Sequence, residues 1–411
     1  MPETLRPAFE GREKPLLSWG IPFSDAAARH VVQTFGASRI YILSSASLAR
    51  NTDALQRLTA ALGPNHVVGC RVGLQPHSLW SELLEVIKDA RNVQADLLLT
   101  LGAGSLTDGA KIVALALANG ISTADDLETL AEGPKKRADI QPPSVPVISV
   151  PTSLSAGEYS NFAGGTEDHS RRKYSFQAPL RGPALVILDP ELVSSTPDSL
   201  WISSGVRAID HCVETLCAVV GTTPESDKLA QHALGLLVPG LLKCKKDRSD
   251  LDAHLQCQLG SVDAMAACTS GSVQLGASHG IGHQACTSLG PLGVGHGETS
   301  CVLLPAVCKF NAAHNANREL QERVREFLIQ DPIVAGVLYS RALDVTAADL
   351  GDVLDAVIRE LGMPRSLTDV GVSRDQLDML AANSLHDRWC RSNPIPLKEK
   401  SQVLEILEKV V

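Results

Sequence analysis

The sequence predicts an α/β domain over residues 1–190, followed by an all-helical domain over residues 191–411. Apolar strand-like runs alternate with amphipathic helices in the first part, whereas only helical patterns follow residue 190. Strands that alternate with helices form a parallel sheet covered on both faces, and helices without strands pack against one another. A chain of 411 residues is long enough for both domains.

Each element of the first domain is predicted from its apolar pattern. Strands are predicted over residues 39–43, 66–70, 95–101 and 145–150, and helices over residues 46–62, 80–93 and 106–117. In the second domain, helices are predicted over residues 200–219, 228–242, 251–275, 281–287, 306–313, 317–328, 347–361 and 374–382.

Composition predicts a folded, acidic, cytoplasmic protein. The net charge of −9 disfavours general binding to nucleic acid or to anionic membranes. No run reaches the length of a membrane-spanning helix, and the first residues lack the apolar core of a signal peptide. The ten cysteines include no CxxC pair, so free thiols in a reducing compartment are expected.

A loop of small residues follows the third predicted strand and enters a helix. It reads Gly102-Ala-Gly-Ser-Leu-Thr-Asp-Gly-Ala-Lys111. Backbone N–H groups at such a helix N-terminus can bind a phosphate, and Ser105 is expected to cap the helix, with Asp108 in its first turn. Thr107 stands at the third glycine of the dinucleotide-binding fingerprint, so a simple strand–helix turn is the alternative.

Two further strand ends suit nucleotide contacts. Pro151-Thr-Ser-Leu-Ser-Ala-Gly157 is rich in hydroxyl groups and small residues, although an ordinary turn would look similar. Ser44-Ser-Ala-Ser47 ends the first strand, where dinucleotide-binding domains read the ribose, and it contains no acidic residue. A 2′-phosphate would not be repelled there, so both NAD and NADP remain open.

Three of the twelve histidines are gathered in a glycine-rich segment. His279 and His283 are four residues apart and share one helix face, and His296 follows in Gly295-His-Gly-Glu298. Imidazole is a common metal ligand and a common general acid or base. The segment therefore predicts a metal site, a proton-transfer site or simple packing.

Together these segments resemble the iron-containing (group III) alcohol dehydrogenase family, and most closely its maleylacetate reductase branch. The resemblance runs through the glycine loop, residues 151–158, Gly205–Glu214, the histidine segment with Leu-Leu-Pro305, and Asn393-Pro394. It implies a Rossmann-like NAD(P)-binding domain, a helical domain of the dehydroquinate synthase-like fold, an active site in the cleft between them, and a homodimer.

The resemblance also implies the residues that contact the cofactor. They are Ser45, Gly102, Ala103, Gly104, Ser105, Asp108, Thr152, Ser153, Leu154 and Lys173. Ser45 stands where many members have the acidic residue that selects NAD, and Lys173 stands where the family has a lysine near the ribose.

The metal site of the family is altered in this chain. His211, His279 and His296 match three histidine ligands, but Arg207 stands at the position of the aspartate ligand. A guanidinium group has no lone pair to give and repels a divalent cation. A catalytic iron or zinc ion held by the three histidines is therefore the less favoured alternative. The segment before His296 is also a few residues longer than is usual, and Ser300 replaces the last histidine of the maleylacetate reductase pattern.

We hypothesise that Arg207 replaces the charge of the metal and binds a small anionic substrate. His211, His279, His283 and His296 would then handle protons and hydrogen bonds while hydride arrives from the nicotinamide. The predicted activity is NAD(P)H-dependent reduction of a carbonyl or an enoyl or oxo-acid group.

Other readings remain open at this point. In one alternative, Arg207 forms only a structural ion pair with Asp210, Glu214 or Glu298. The rival functions are a metal-dependent alcohol dehydrogenase, a lyase or isomerase on the same scaffold without net redox chemistry, and a cofactor-binding protein that has lost its site.

Overall fold

The computed structural model describes residues 2–75, 78–288 and 294–411. The chain divides into two compact units, and the boundary along the chain lies between Thr196 and Pro197. The first unit is built around a mainly parallel sheet, and the second unit is helical throughout its described residues. The predicted fold class is therefore confirmed. The lengthened segment predicted before His296 lies largely outside the described residues.

In the described part of the first unit, seven strands form the main sheet and two form a separate hairpin. In chain order the strands are β1 (Thr4–Pro7), β2 (Leu16–Trp19), β3 (Ile40–Ser44), β4 (Val67–Val72), β5 (Leu97–Gly102), β6 (Val147–Pro151), β7 (Ala163–Thr166), β8 (Lys173–Phe176) and β9 (Leu185–Ile187). The sheet order is β1-β2-β9-β6-β5-β3-β4, and β7 pairs with β8. Among the strands in the described residues, the edge pair β1-β2 is the only antiparallel pair of the main sheet. The sequence patterns predicted β3 to β6 and missed the other five strands.

Helices cover both faces of this sheet. They are α1 (Phe23–Gln33), α2 (Ala46–Asn51), α3 (Ala54–Leu62), α4 (Trp80–Asn92), α5 (Gly104–Ala118), α6 (Ala124–Glu128) and α7 (Pro190–Val193). Alternate residues of β3 point to opposite faces: Tyr41 and Leu43 join the core under α4 and α5, while Ile40 and Ile42 join the core under α1 and α3.

The single helix predicted over residues 46–62 is wrong, because the chain breaks into α2 and α3. Thr52 has an extended backbone between the two helices, and its hydroxyl donates a hydrogen bond to the carbonyl of Leu48 at 2.7 Å. The same hydroxyl then accepts a bond from the Ala54 N–H at 3.2 Å, near the start of α3. A threonine side chain thus takes part in both helix ends.

The second unit contains helices α8 to α18. They are α8 (Asp198–Leu216), α9 (Pro224–Lys246), α10 (Leu251–Cys268), α11 (Ala277–Ser288), α12 (His296–Ala313), α13 (Arg318–Ile329), α14 (Pro332–Ser340), α15 (Leu350–Glu360), α16 (Leu377–Ser384), α17 (Arg388–Ser392) and α18 (Lys400–Leu407). Helix α8 is buried from Trp201 to Thr215, as expected for a helix surrounded by others. None of the helices in the described ranges combines the length and apolar character that a membrane span requires.

Helix α12 begins at His296, ten residues before the predicted start. The prediction began the helix after Pro305, but this proline lies inside it. Proline has no N–H, so the carbonyl of Cys301, four residues earlier, loses its partner within the helix. The Nη2 of Arg359 on α15 donates to that carbonyl at 2.8 Å. The same guanidinium reaches Asp355 and the carbonyl of Met363, so one side chain compensates for the proline and holds α15 against α12.

Replacing Arg359 by methionine should therefore destabilise the protein. The Arg359→Met variant leaves the buried Cys301 carbonyl without a partner, which costs about 1–3 kcal/mol of the free energy of unfolding. The matched control is Arg341→Met, because Arg341 forms a partly exposed ion pair with Glu360 at 2.9 Å that contributes about 0–1 kcal/mol. Urea unfolding measures both, and equal losses in the two variants would contradict the role assigned to Arg359.

Candidate functional site

The carboxyl edge of the sheet gathers the three predicted cofactor-binding segments. Strands β3 and β5 are parallel neighbours, and the chain continues from β3 towards one edge of the sheet and from β5 towards the other. In open α/β sheets such a switch point leaves a crevice where ligands bind. Ser45 follows β3 and donates its N–H to the carbonyl of Leu101 at 2.9 Å, while the Thr152 N–H donates to the Gly102 carbonyl at 3.1 Å. The three strand ends are thus linked to one another at this crevice.

The glycine loop at the end of β5 is sterically fixed. Gly102 has a φ of 150°, and a Cβ on it would lie 2.6 Å from the Leu106 side chain and 2.9 Å from Ser45 Cβ. Helix α5 then starts at Gly104, and its N-cap, Ala103, has no side chain that could accept a hydrogen bond. The first N–H groups of α5 therefore lack a side-chain cap and combine with the positive end of the helix dipole, which suits an anion.

The predicted cap by Ser105 and the predicted first-turn position of Asp108 are wrong, because α5 begins earlier than expected. Asp108 instead contacts the protein itself. Its Oδ2 accepts a bond from the Gly164 N–H at 3.1 Å, and its Oδ1 lies 3.2 Å from the fully buried Nζ of Lys111. Lys111 in turn donates to the Gly157 carbonyl at 2.9 Å. Asp108 and Lys111 thus hold β7 and the turn after β6 beside the glycine loop.

The remaining predicted cofactor residues lie on the turn after β6 and on the hairpin. Ser153 and Leu154 are buried, and the Ser153 hydroxyl lies 3.1 Å from that of Ser155. Lys173 begins β8 and is exposed, with its side chain lying over Gly164 of β7.

In the helical unit, the structure brings the four predicted histidines into a row. The ring centroids of His211 and His279 are 4.7 Å apart, those of His279 and His283 are 6.1 Å apart, and those of His283 and His296 are 5.7 Å apart. His211 lies on α8, His279 and His283 lie on α11, and His296 is the first residue of α12. The grouping predicted from the sequence is therefore present within this unit.

Arg207 lies beside this row and is largely buried, with its side chain 10% exposed. Its Nη1 donates to Ser300 Oγ at 3.1 Å and lies 3.5 Å from Asp210 Oδ2, and its Nη2 lies 3.4 Å from His283 Nε2. The ion pair with Asp210, predicted as the alternative role, is thus present. The guanidinium also contacts the histidine row, so it is placed for a role there as well.

Asp210 is fully buried and was not among the predicted site residues. Its Oδ2 accepts hydrogen bonds from Ser300 Oγ at 2.6 Å and Ser278 Oγ at 3.0 Å. Burial raises the pKa of this carboxyl to about 6, against the opposing effects of Arg207 and the two serines. Asp210 therefore links α8, α11 and α12 through hydroxyl groups whose importance no sequence motif indicates.

Glu214 on α8 binds the backbone at the start of α11. Its carboxylate accepts the N–H groups of Gly276 at 3.0 Å and Ser278 at 2.9 Å, and it lies 2.8 Å from His279 Nδ1. Burial, assisted by the nearby Asp210, raises the Glu214 pKa to about 8. For His279, burial and then Arg207 lower the pKa, so the ring is neutral. Its Nε2 is buried and finds no hydrogen-bond partner among the described residues.

The residues do not fit a divalent metal at the position that the resemblance implies. Among the described residues, three ligand atoms come within 4.8 Å of one another in the group Asp210, Glu214 and His279, and the three predicted histidines form no such group. In the group that does form, serine hydroxyls and backbone N–H groups already donate to both carboxylates. Arg207 adds a positive charge 3.5 Å from Asp210.

Each of the two units matches a family model of known proteins. The family model for the C-terminal part of Fe-containing alcohol dehydrogenases matches residues 201–411, and the model for iron-containing alcohol dehydrogenase matches residues 24–190. The chain belongs to the iron-containing alcohol dehydrogenase family. The resemblance drawn from the sequence is therefore confirmed.

Similar proteins of the family identify the chain as an oxidoreductase. Dehydrogenase FUM7 of Gibberella moniliformis is 40% identical over 419 residues, covering 96% of this chain and 95% of that protein. Dehydrogenase ALT3 of Alternaria alternata is 38% identical over 390 residues, covering 91% of this chain and 99% of that protein. The crystal structure of maleylacetate reductase from Agrobacterium tumefaciens has a TM-score of 0.71 over 96% of this chain and 95% of that one, at 22% identity, which shows the shared fold.

Asn393, part of the Asn-Pro motif shared with the family, supports the histidine row. Its Oδ1 accepts the Ala277 N–H at 3.2 Å, and its side chain exchanges two hydrogen bonds with the amide of Asn311 on α12 at 2.7 and 3.2 Å. Together with Glu214, it satisfies the N–H groups of residues 276–278 at the start of α11. The motif thus fixes the helix that carries His279 and His283.

The raised pKa of Glu214 predicts a pH-dependent stability. Exposed glutamate titrates near 4.5, so between about pH 4.5 and 8 the folded state holds a proton that the unfolded state has lost. This contribution to stability is complete below about pH 4.5 and is lost as the pH rises through 8. The loss is steepest at about 1.4 kcal/mol per pH unit.

The variant Glu214→Gln cannot titrate, so its stability relative to the native protein should rise between about pH 6.5 and 8. This window lies above the pKa of about 6 for Asp210, so the titration of Glu214 is measured apart from that of Asp210. Urea unfolding at several pH values gives the comparison. Parallel pH profiles for the two proteins would contradict the prediction.

Proposed function

We propose that this oxidoreductase reduces the carbonyl group of a small anionic substrate, such as an oxo acid, with NADH or NADPH and without a catalytic metal. The supporting observation is the buried guanidinium of Arg207 beside the row of four histidines, at the position where metal-dependent members of the family have a carboxylate ligand. We further propose that the protein acts as a cytoplasmic homodimer without nucleic-acid or membrane partners.

The charge of Arg207 supports this reaction. Carbonyl reduction builds negative charge on the substrate oxygen, and a fixed positive group in a poorly solvated site stabilises that charge. Nη1 is bound by Ser300 and lies near Asp210, whereas Nη2 lies towards His283. The guanidinium is therefore held in one orientation, and its planar set of donors suits a carboxylate or a developing alkoxide.

The histidines supply what the reaction needs besides charge. Burial, followed by the positive charge of Arg207, lowers the pKa of His211 and of His279, so both rings stay neutral. His279 Nε2 and His211 Nδ1 are buried and have no hydrogen-bond partner among the described residues. We assign the proton that completes the alcohol to this row: His279 gives the hydrogen on its Nε2 to the substrate oxygen and takes one at Nδ1 from Glu214, whose raised pKa of about 8 leaves it protonated near neutral pH.

The crevice of the first unit supports the choice of cofactor. The glycine loop and the start of α5 offer N–H groups to a pyrophosphate, next to the strand ends carrying Ser45 and Thr152. When bound there, NADH or NADPH would supply a hydride to the substrate. Ser45 carries no charge, so the proposal includes both dinucleotides.

The decisive experiment measures oxidation of NADH and NADPH with maleylacetate, other oxo acids and neutral aldehydes, each with and without EDTA. We expect turnover of oxo acids that EDTA does not reduce. Loss of turnover in EDTA and its return with zinc or iron would instead support a metal-dependent alcohol dehydrogenase. Cofactor binding without turnover of any carbonyl would contradict the reductase proposal.

Arg207→Met tests the role of the guanidinium. Its removal should lower kcat/KM for oxo acids by about 10²–10³, as expected for loss of a charge that stabilises an oxyanion. The control Arg341→Met removes an equal charge from a partly exposed ion pair and should leave kcat/KM unchanged. An unaltered kcat/KM in Arg207→Met would reduce Arg207 to its ion pair with Asp210.

Ser45→Asp tests the choice of cofactor. Ser45 is the N-cap of α2 and accepts the Leu48 N–H at 3.4 Å, and aspartate caps a helix equally well, so the fold should be retained. The added carboxylate should repel a 2′-phosphate and raise the Kd of NADPH relative to that of NADH by about tenfold or more. Fluorescence titration with both dinucleotides measures the ratio, and an unchanged ratio would place the ribose elsewhere.

A further inference from the structure

Asp387 connects the end of the helical unit to the histidine row. It is the N-cap of α17, where its Oδ1 accepts the Trp389 N–H at 2.9 Å. Its second oxygen, Oδ2, lies 3.2 Å from His283 Nδ1 and 3.5 Å from Gln284 Nε2. The Asp387 side chain is only 11% exposed. Capping needs one oxygen, so the contact with His283 is a second role for the carboxylate.

His283 lies between two groups of opposite hydrogen-bonding character. On one side is the carboxylate of Asp387, and on the other is Arg207, whose Nη2 lies 3.4 Å from His283 Nε2. Burial opposes ionisation of Asp387, but the hydrogen bonds from His283 and from the Trp389 N–H hold its pKa below the usual value. An ionised carboxylate can only accept hydrogen bonds, and a guanidinium can only donate them.

One tautomer of a neutral imidazole satisfies both neighbours. Nδ1 carries the hydrogen and donates it to Asp387, and Nε2 keeps its lone pair and accepts from Arg207. The opposite tautomer would set a lone pair against the carboxylate and an N–H against the guanidinium. The contacts on the two sides of the ring thus select the same state.

We infer that Asp387 is a positioning residue of the active site, which fixes His283 as the Nδ1–H tautomer and thereby holds the guanidinium of Arg207 in place. The inference rests on the proposed function for its catalytic consequence, but the tautomer itself does not. Arg207 is then held at Nη1 by Ser300 and at Nη2 by His283, so the orientation of the guanidinium plane is fixed from both sides. Outer partners of this kind orient the residues that contact the substrate.

Asp387→Asn separates capping from positioning. Asparagine caps a helix as well as aspartate does, so its Oδ1 can keep the bond to the Trp389 N–H and α17 should be retained. Its Nδ2 then points at His283 and is a donor. His283 must then accept this hydrogen bond with a lone pair on Nδ1. The ring hydrogen moves to Nε2, where it faces the donor N–H groups of Arg207. The substitution therefore inverts the tautomer while leaving the cap.

The first readout is the tautomer of His283, measured by long-range ¹H–¹⁵N spectra of the full-length protein labelled at the histidine ring nitrogens. His283→Gln assigns the signals. We expect the Nδ1–H form in the native protein and in Asp387→Glu, and the Nε2–H form in Asp387→Asn. The Nε2–H form in the native protein, or the same form in the native and Asp387→Asn proteins, would overturn the inference.

The second readout is the split between kcat and KM for the best oxo acid of the substrate panel. Asp387→Asn should lower kcat by about 10- to 100-fold, the usual effect of losing such an outer partner, with little change in KM. Asp387→Glu should recover most of the loss. The matched control is Asp378→Asn, since Asp378 forms an exposed ion pair with Lys400 at 2.6 Å and should leave kcat unchanged.

These readouts distinguish failure of the inference from failure of the proposed function. If the native protein reduces no carbonyl, the proposed function falls, while the spectra still decide whether Asp387 sets the tautomer. If the native protein is active but Asp387→Asn retains both its tautomer and its kcat, the positioning role is wrong. Equal loss of kcat in Asp387→Asn and Asp387→Glu would likewise exclude positioning through the carboxylate.

Discussion

The helical unit depends on finding partners for three charged side chains that one helix, α8, carries into the interior. Arg207, Asp210 and Glu214 recur at helical spacing and are all buried. Buried charges and unpaired polar groups are costly, so partners must come from other helices. Glu214 finds them at the start of α11, and Asp210 finds them in one serine on α11 and another on α12. The need for hydrogen-bond partners for the buried side chains of α8 thus determines where α11 and α12 lie. These helices carry His279, His283 and His296 of the histidine row.

Two departures from the family pattern are physically linked. The family resemblance drawn from the sequence places Arg207 at the position of a metal-ligating carboxylate and Ser300 where maleylacetate reductases have a histidine. A hydroxyl can donate and accept at a single atom. Ser300 Oγ accepts from Arg207 at 3.1 Å and donates to Asp210 at 2.6 Å, so it joins the new cation to a buried anion. The arginine is accommodated by hydrogen bonds and an ion pair, and it is not an isolated buried charge.

How much the sequence could predict follows from the range of the interactions involved. Strands β3 to β6 were predicted because their apolar segments alternate with helical patterns, whereas β9 was missed because the apolar run over residues 184–188 does not by itself distinguish a strand from a buried helix. The start of α12 was missed because Pro305 reads as a helix boundary, and its partner Arg359 is distant in sequence. The histidines were identified through their spacing and the family resemblance. Asp210 was named only as a possible ion-pair partner of Arg207, and Ser278 and Asp387 were missed, because their roles arise from contacts between sequence-distant helices, which no local pattern encodes.

If Arg207 replaces a metal ligand, as the resemblance implies, the exchange preserves one part of the site's electrostatics and removes another. A metal ion keeps its histidine ligands deprotonated, and here burial followed by the charge of Arg207 does the same for His211 and His279. A guanidinium, however, cannot be coordinated by their lone pairs. The neutral rings are therefore left to exchange hydrogen bonds and protons, and the positive charge is left to meet an anion. Under the proposed function, the row of histidines would keep its place in the fold, and its chemistry would change from holding a metal to moving a proton beside a fixed cation.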